Sequence, residues 1–451
     1  MTPSFLNLPN WEVVSVKESK NDYRVEATYG PVPVACPHCE ASLFASKVYR
    51  HGTMKQEVMD LPSHSKRVGI VLTRVRFRCQ DCNKTFLQPV PDIDDGGRMT
   101  IRLVRYIERE SLRKTFVSVA DEVGVTEGTI RNVFRAHVEH LEATTVFQTP
   151  ERLGIDELYL LKKARAVFTN LREKTIIGVL DTRLKKSVTA HLRTLDTGTV
   201  KVVAIDMHKA YKDAVREVIP NAAIVVDKFH VVRMASQCLE LVRKSFRSGL
   251  ESKERRKLMH DRFVLLRRNR DLTDEQRATL ASWQLMFPKL GAAYTVKEAF
   301  YDLWDAPDRT TAADRFRAWE YGIADHDMLK AFQPLLTAWR NWEQEILAYF
   351  EHRETNAVTE ALNGIVRHIE RGGRGYSFDA MRAKMLFGTK SQKRPPYNGS
   401  VCEYPMSPDD PPRPPRAIGD TYGASVDLLL TELAAENPIP TVDAHSGDQE
   451  D

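Results

Sequence analysis

Residues 152–161 read RLGIDELYLL, an apolar, strand-like run that carries two adjacent acids, Asp156 and Glu157. An ionised carboxylate inside a sheet is expensive unless something pairs with it. Side chains alternate across a strand, so Asp156 and Glu157 face opposite sides. Outward from this run, ARAVFTNL, KTIIGVLDT, SVTAHLRTL, VKVVAID and AAIVVD continue the strand-like reading to residue 227. The last two are unbroken apolar runs separated by a helical HKAYKDAVREVI, the pattern of parallel neighbours buried on both faces. The fold class expected is α/β.

The other acids of this region stand at strand ends. Asp206 closes VKVVAID and Asp227 closes AAIVVD, and carboxylates at the carboxyl ends of parallel strands sit where α/β sheets bind ligands. Far downstream, TNAVTEALNGIVRHIER reads as a helix with Asn356, Glu360, Asn363 and Arg367 on one polar stripe. Two strand acids and one helix acid converging would make a site for two Mg²⁺ (or Mn²⁺) ions. Such ions, about 4 Å apart, activate the attacking oxygen and stabilise the leaving one in phosphodiester chemistry. They supply the counter-charge that Asp156 requires; without them the acids repel one another and their pKa values rise. The alternative is that Asp206 and Asp227 merely cap their strands.

The chain has 451 residues, 42% hydrophobic and 28% charged, which fits a globular protein of several domains. No apolar run is long enough to span a membrane, and the N-terminus does not read as a secretory signal. A cytoplasmic protein is expected. The net charge is only +5, but RKSFRSGL through ERRKLMHDRFVLLRRNR is densely basic while the C-terminal end is acidic. Such a segment points to a polyanion, most often nucleic acid; a solvated helix face is the other reading.

Four of the six cysteines form two pairs, CPHC (Cys36, Cys39) and CQDC (Cys79, Cys82). In a cytosolic chain this spacing argues for one structural Zn²⁺ held by two facing knuckles. The long gap between the pairs fits a zinc ribbon better than a short finger. His38, His51 and His64 lie nearby, but four sulfurs already close a tetrahedral site. Next comes SVADEVGVTEGTIRNVFRAHV, a short helix, a turn at Gly124 and a second helix capped by Thr126. Val119, Ala120, Val123, Ile130, Val133 and Phe134 would face inward. Glu127, Thr129, Arg131 and Asn132 would be left to reach DNA as a recognition helix does, unless the pair is a plain helical hairpin. From about residue 230 to 388 the chain reads as helix, with Trp283, Trp304, Trp319, Trp339 and Trp342 as core anchors. The remainder is Pro-rich and polar.

In order, the two cysteine pairs, SVADEVGVTEGTIRNVF, GIDE, IDMHKAYKDAV, VVDKFHVVR and TNAVTEALNGIVRHIERGGRGYSF closely resemble bacterial transposases of the insertion-sequence L-three type, from about residue 30 to 388. The resemblance implies an RNase H-like catalytic core with an Asp-Asp-Glu triad acting on terminal inverted repeats. Asp156 is then the first acid and Glu360 the last. For the second, Asp206 is preferred and Asp227 held in reserve. In such a sheet the strand after the antiparallel trio lies beside the first, and neighbouring strands are about 4.8 Å apart. Glu157, on the other side, is not expected to be a ligand. His208, His230 and Arg233 flank the expected site and are candidates to orient water or phosphate, as is Asn356; Arg374 and Tyr376 enter as substrate contacts on the family pattern alone.

The expected organisation is a zinc ribbon over 1–92, a helix-turn-helix over 93–145, a core over 150–234 and 351–388, a large all-α insertion over 235–350, and a disordered tail over 389–451. Arg255, Arg256, Lys257, Arg267 and Arg268 of the insertion would contact DNA phosphates and make binding salt-dependent. The expected function is DNA strand cleavage at the element's ends followed by strand transfer of the released 3′-OH to target DNA, with double-stranded DNA as partner and a homodimer or larger assembly pairing two ends. A DNA-binding regulator without catalysis and a nuclease that cuts without joining are the rivals.

Overall fold

The structure, a computed structural model, describes residues 5–40, 48–249, 251–323, 326–356, 370–373 and 375–388. The chain divides into two compact units, with the main boundary between Val146 and Phe147.

In the first unit, strands β1 (Trp11–Glu18), β2 (Asp22–Tyr29), β3 (Val48–Ser63), β4 (Lys66–Cys79) and β5 (Thr85–Leu87) form a sheet in the order β1-β2-β4-β3, with β5 also paired to β4. Val25, Val58, Val68, Ile70 and Leu72 alternate inward and make its core with Trp11. At the far end Cys36, Phe77, Cys79 and Phe86 form a separate, much smaller cluster. Three helices follow, α1 (Ile101–Ser111), α2 (Phe116–Val123) and α3 (Glu127–Thr144), started by the N-caps Thr100, Thr115 and Thr126. Between α2 and α3 the chain turns at Gly124 with φ +76, where a side chain would also press on Met59 and Arg67 at 3.0 and 2.9 Å. Val119, Ala120, Val123, Ile130 and Phe134 are buried, as their spacing requires.

The second unit holds a sheet of β6 (Arg152–Leu160), β7 (Lys163–Asn170), β8 (Thr175–Val179), β9 (Val202–Ile205) and β10 (Ala223–Val226), in the order β10-β9-β6-β7-β8. β6, β7 and β8 are antiparallel, whereas β9 runs parallel to β6 and β10 parallel to β9. The parallel joins pass through α4 (Lys185–Leu192) and α5 (Lys209–Val218). One expectation fails here. SVTAHLRTL is not a strand; most of it lies in α4, because Val188 and Leu192 fall one helical turn apart and bury together.

Helices then run through α6 (Lys228–Ser245), α7 (Ser252–His260), α8 (Arg262–Leu266), α9 (Asp274–Met286), α10 (Pro288–Leu303), α11 (Arg309–Gly322), α12 (His326–Leu347), α13 (Tyr349–His352) and α14 (Phe378–Phe387). The five tryptophans expected to anchor this region are all buried. Phe316 stacks on Trp339 with ring centres 3.8 Å apart, and Phe300 packs edge-on against both Trp304 and Trp339. One continuous core joins these aromatics to the sheet.

Candidate functional site

Two parallel strands end side by side at the acidic centre. Ile155 of β6 pairs with Ile205 of β9, and Val226 of β10 pairs with Ile205 from the other side. Asp156, Asp206 and Asp227 therefore follow one register line across three neighbouring strands. Asp156 is 4% exposed, and its Oδ1 accepts the Glu157 backbone N–H at 2.6 Å. Burial, and then the adjoining Asp206 carboxylate, push its pKa up to about 9. His230, from the first turn of α6, places Nδ1 3.0 Å from Asp206 Oδ1 and 3.2 Å from Asp227 Oδ2. Burial alone would lower the pKa of His230; the hydrogen bonds and charges of the two acids outweigh it and raise it to about 10. His230 hydrogen-bonds with Asp227, while Asp206 Oδ1 is buried without a well-formed hydrogen bond.

The two strand-end acids differ in their commitments. Asp227 is fully buried and caps α6, accepting the Phe229 N–H at 3.3 Å. The side chain of Asp206 retains 18% exposure and caps nothing. Asp206, Asp227 and His230 bring three ligand atoms within 4.8 Å of one another. Carboxylate oxygens crowded together in this way fit a divalent cation, because hard cations take carboxylate oxygens. Glu360 and Arg374 lie outside the described residues, so nothing of their placement enters this geometry.

Other expected site residues fall in different environments. Glu157 points away from Asp156 and ion-pairs with Arg183. His208 stands at the N-terminus of α5 beside the Tyr211 ring, its Nδ1 buried without a hydrogen bond; burial and the nearby Arg183 lower its pKa. Arg233 is exposed on α6. Asn356 is fully buried, and its amide donates to the Ile155 carbonyl at 3.3 Å, next to Asp156. It thus braces β6. Gly154 makes room for it, since a Cβ there would stand 2.8 Å from Asn356 Oδ1 and also strike Thr169. Tyr376 is buried too, with the Lys384 ammonium 4.9 Å from its ring centre.

On helix α3, Arg131 is engaged within its own unit. It pairs with Glu127 at 2.5 Å and lies over the Phe116 ring at 4.9 Å. Thr129 donates its N–H to the Thr126 cap and shares a hydroxyl hydrogen bond with it. The exposed face instead carries Gly128, Asn132, Arg135 and Ala136. Arg135 was missed, although its place one turn beyond Asn132 was readable from the helical period. In the basic helices Arg255, Arg256, Lys257 and Arg267 are exposed, whereas Arg268 is held by Asp302 and Asp305 at 2.7 and 3.2 Å.

The four cysteines converge as a separate centre. Cys36 and Cys82 sulfurs stand 3.7 Å apart, as do those of Cys39 and Cys79. Zn–S bonds of about 2.3 Å make a tetrahedron with edges of roughly 3.8 Å, so the sulfurs stand at the spacing one zinc ion requires. Burial opposes the Cys36 thiolate, but backbone donors of His38 and Cys39 and the neighbouring thiols bring its pKa down to about 7.

A Cys₄ centre, a helix-turn-helix and a mixed sheet with acids at its strand ends together describe a DNA-processing protein. Comparison with known proteins agrees. A transposase model of the ISL3 type matches residues 153–385, a helix-turn-helix model of ISL3 transposases matches 88–138, and a zinc-finger model of the IS204/IS1001/IS1096/IS1165 transposases matches 33–82. The chain belongs to the ISL3 family of transposases. It is 25% identical over 334 residues to the transposase for insertion sequence element IS1001 of Bordetella parapertussis, covering 72% of this chain and 82% of that protein. Among the described residues no helix is long and apolar enough to cross a membrane.

Proposed function

We propose that this transposase cuts DNA at the terminal inverted repeats of its own element and joins the released 3′-OH to target DNA. The observation that supports the reading is the register that sets Asp156, within β6, beside Asp206, which follows the end of the adjacent parallel strand β9. We read the mixed sheet, in the order β10-β9-β6-β7-β8, as an RNase H-like core and residues 235–350 as a helical insertion within it. Asp156, Asp206 and Glu360 are the acids that would hold two Mg²⁺ or Mn²⁺ ions. When bound, the ions supply Lewis-acid activation of the attacking oxygen and charge relief at the leaving one.

The chain's own residues prepare that site. His230 keeps a proton between Asp206 and Asp227, holding the Asp206 carboxylate in place while Asp227 is occupied as the α6 cap. For this reason Asp227 serves as support and Asp206 as the second acid. Asn356 ties the segment that leads toward Glu360 to β6. The zinc ribbon and α3 recognise the repeats, and two ends brought together make a dimer or larger assembly the working form, in the cytoplasm.

The test is a plasmid carrying the gene's own flanking DNA, incubated with Mg²⁺ or Mn²⁺. Asp156→Asn, Asp206→Asn and Glu360→Gln should abolish cleavage and joining while leaving end binding intact, and Asp227→Asn should only weaken them. Cutting without joining would make the protein a nuclease, and binding without strand breakage would make it a regulator.

A further inference from the structure

Helix α6 begins at the acidic centre and leads away from it. Its exposed residues fall on one stripe, Phe229, Arg233, Gln237, Leu241 and Lys244, each three or four residues from the last, with Ser245 at the helix end. Phe229 is 46% exposed and Leu241 54%. The Phe229 ring meets the His230 ring edge-on at 5.9 Å, and His230 touches both Asp206 and Asp227. An open aromatic face thus stands one residue's width from the acids. The stripe carries Arg233 and Lys244 but no acid; the sole acid of α6, Glu240, is turned inward and neutralised by Arg243 at 2.8 Å and Arg262 at 3.3 Å.

From these observations we propose that the exposed stripe of α6 is a track for the DNA strand that enters the acidic centre, with Phe229 stacking on the base beside the cleaved phosphodiester. This rests on the transposase reading above and names the strand contact within it. Charge complementarity favours a polyanion over a second copy of this basic surface, and continuity with the acids favours the strand being cut over DNA bound elsewhere. At 1.5 Å per residue the stripe extends about 22 Å, the length of about six nucleotide steps at 3.4 Å each. Aromatic stacking is indifferent to base identity, so Phe229 would hold whatever base borders the cleaved bond, while Arg233 and Lys244 engage phosphates further along. Leu241, between them, can cover a sugar without competing for charge.

The experiment uses full-length protein and a duplex of the gene's own flanking sequence, with 5-iodouracil placed on either side of the cleaved bond. Irradiation without added divalent metal should crosslink the labelled base to the peptide containing Phe229. Phe229→Leu should lose that crosslink and slow cleavage by about tenfold; Phe229→Trp should restore both. Arg233→Ala with Lys244→Ala should lower the slope of log affinity against log salt by about two. The proposal is overturned if the crosslink maps to another element, or if Phe229→Leu cleaves at the wild-type rate. Failure of the transposase reading looks different: the wild type would bind its ends and never break a strand, while the crosslink and the salt slope still report on the stripe.

Discussion

Arg131 and Arg135 sit one helical turn apart on α3 in different surroundings. Arg131 is neutralised by Glu127 and packed on Phe116, whereas Arg135 is exposed on the face that carries Asn132. Arg and Asn are the side chains that pair bidentately with guanine and adenine edges in the major groove. Arg135→Ala should therefore weaken binding to the element's end by about 1–3 kcal/mol and relax preference at one base pair. Arg131→Ala should lower the melting temperature of the first unit and leave base preference unchanged. Selection of bound sequences from a randomised duplex separates the two; a shifted preference in Arg131→Ala would reverse the assignment. The sequence reading took Arg131 and passed over Arg135, and the Glu127 pair and the packing on Phe116 distinguish them. Gly154 makes a similar point in the core. Its missing Cβ is the space filled by Asn356 and Thr169, so Gly154→Ala should destabilise the second unit by about 1–3 kcal/mol, read as a lower denaturation midpoint.

At the scale of elements, much was readable because hydrophobic period and chain order act locally. That β9 and β10 are parallel neighbours follows from unbroken apolar runs joined by an amphipathic helix, whereas the placing of Asp206 beside Asp156 and Asp227 one strand further out came from the sheet order that the family resemblance implies. α4 was misread because SVTAH is β-branched in composition, while burial answered to the Val188–Leu192 spacing. Asn356 looked like part of a polar stripe open to substrate, but its amide closes a contact 201 residues away that no local pattern encodes. The exposure of Phe229 was equally invisible, since apolar residues at helix starts are ordinarily buried. α14 holds another such case. Lys384 is 4% exposed, and burial lowers its pKa to about 7 from 10.5. The unfolded chain then binds more protons than the folded one between those values, so stability should rise with pH across that window, with the full penalty present below about pH 7. Lys384→Met should stabilise the second unit near neutral pH and flatten this rise. Denaturant midpoints at several pH values check it; an unchanged slope in the variant would show that another group sets it.

For the whole molecule, the two units draw on cores of very different size. The sheet of the second unit shares one continuous cluster with the helices of α6 to α13. In the first, the buried cluster at the end bearing the cysteines is, among the described residues, Cys36, Phe77, Cys79 and Phe86, with Val48, Val75 and Cys82 partly buried against it. A cluster this small cannot offset the chain entropy of ordering the two knuckles, and metal binding at such a site is folding free energy. Chelation of zinc should therefore unfold the knuckle end of the β3–β4 hairpin while the second unit keeps its own transition. Calorimetry on the full chain should show a low-temperature transition that weakens or disappears on chelation and returns with Zn²⁺, beside one that does not move. Cys39→Ser should reproduce the chelated profile, since removing one thiolate leaves three ligands for a tetrahedral ion. DNA binding should fall with the first transition, and divalent-cation stabilisation of the second transition should persist and depend on Asp156 and Asp206. If chelation instead shifts both transitions together, the two cores are not separately stable, and the zinc centre governs the folding of the entire chain.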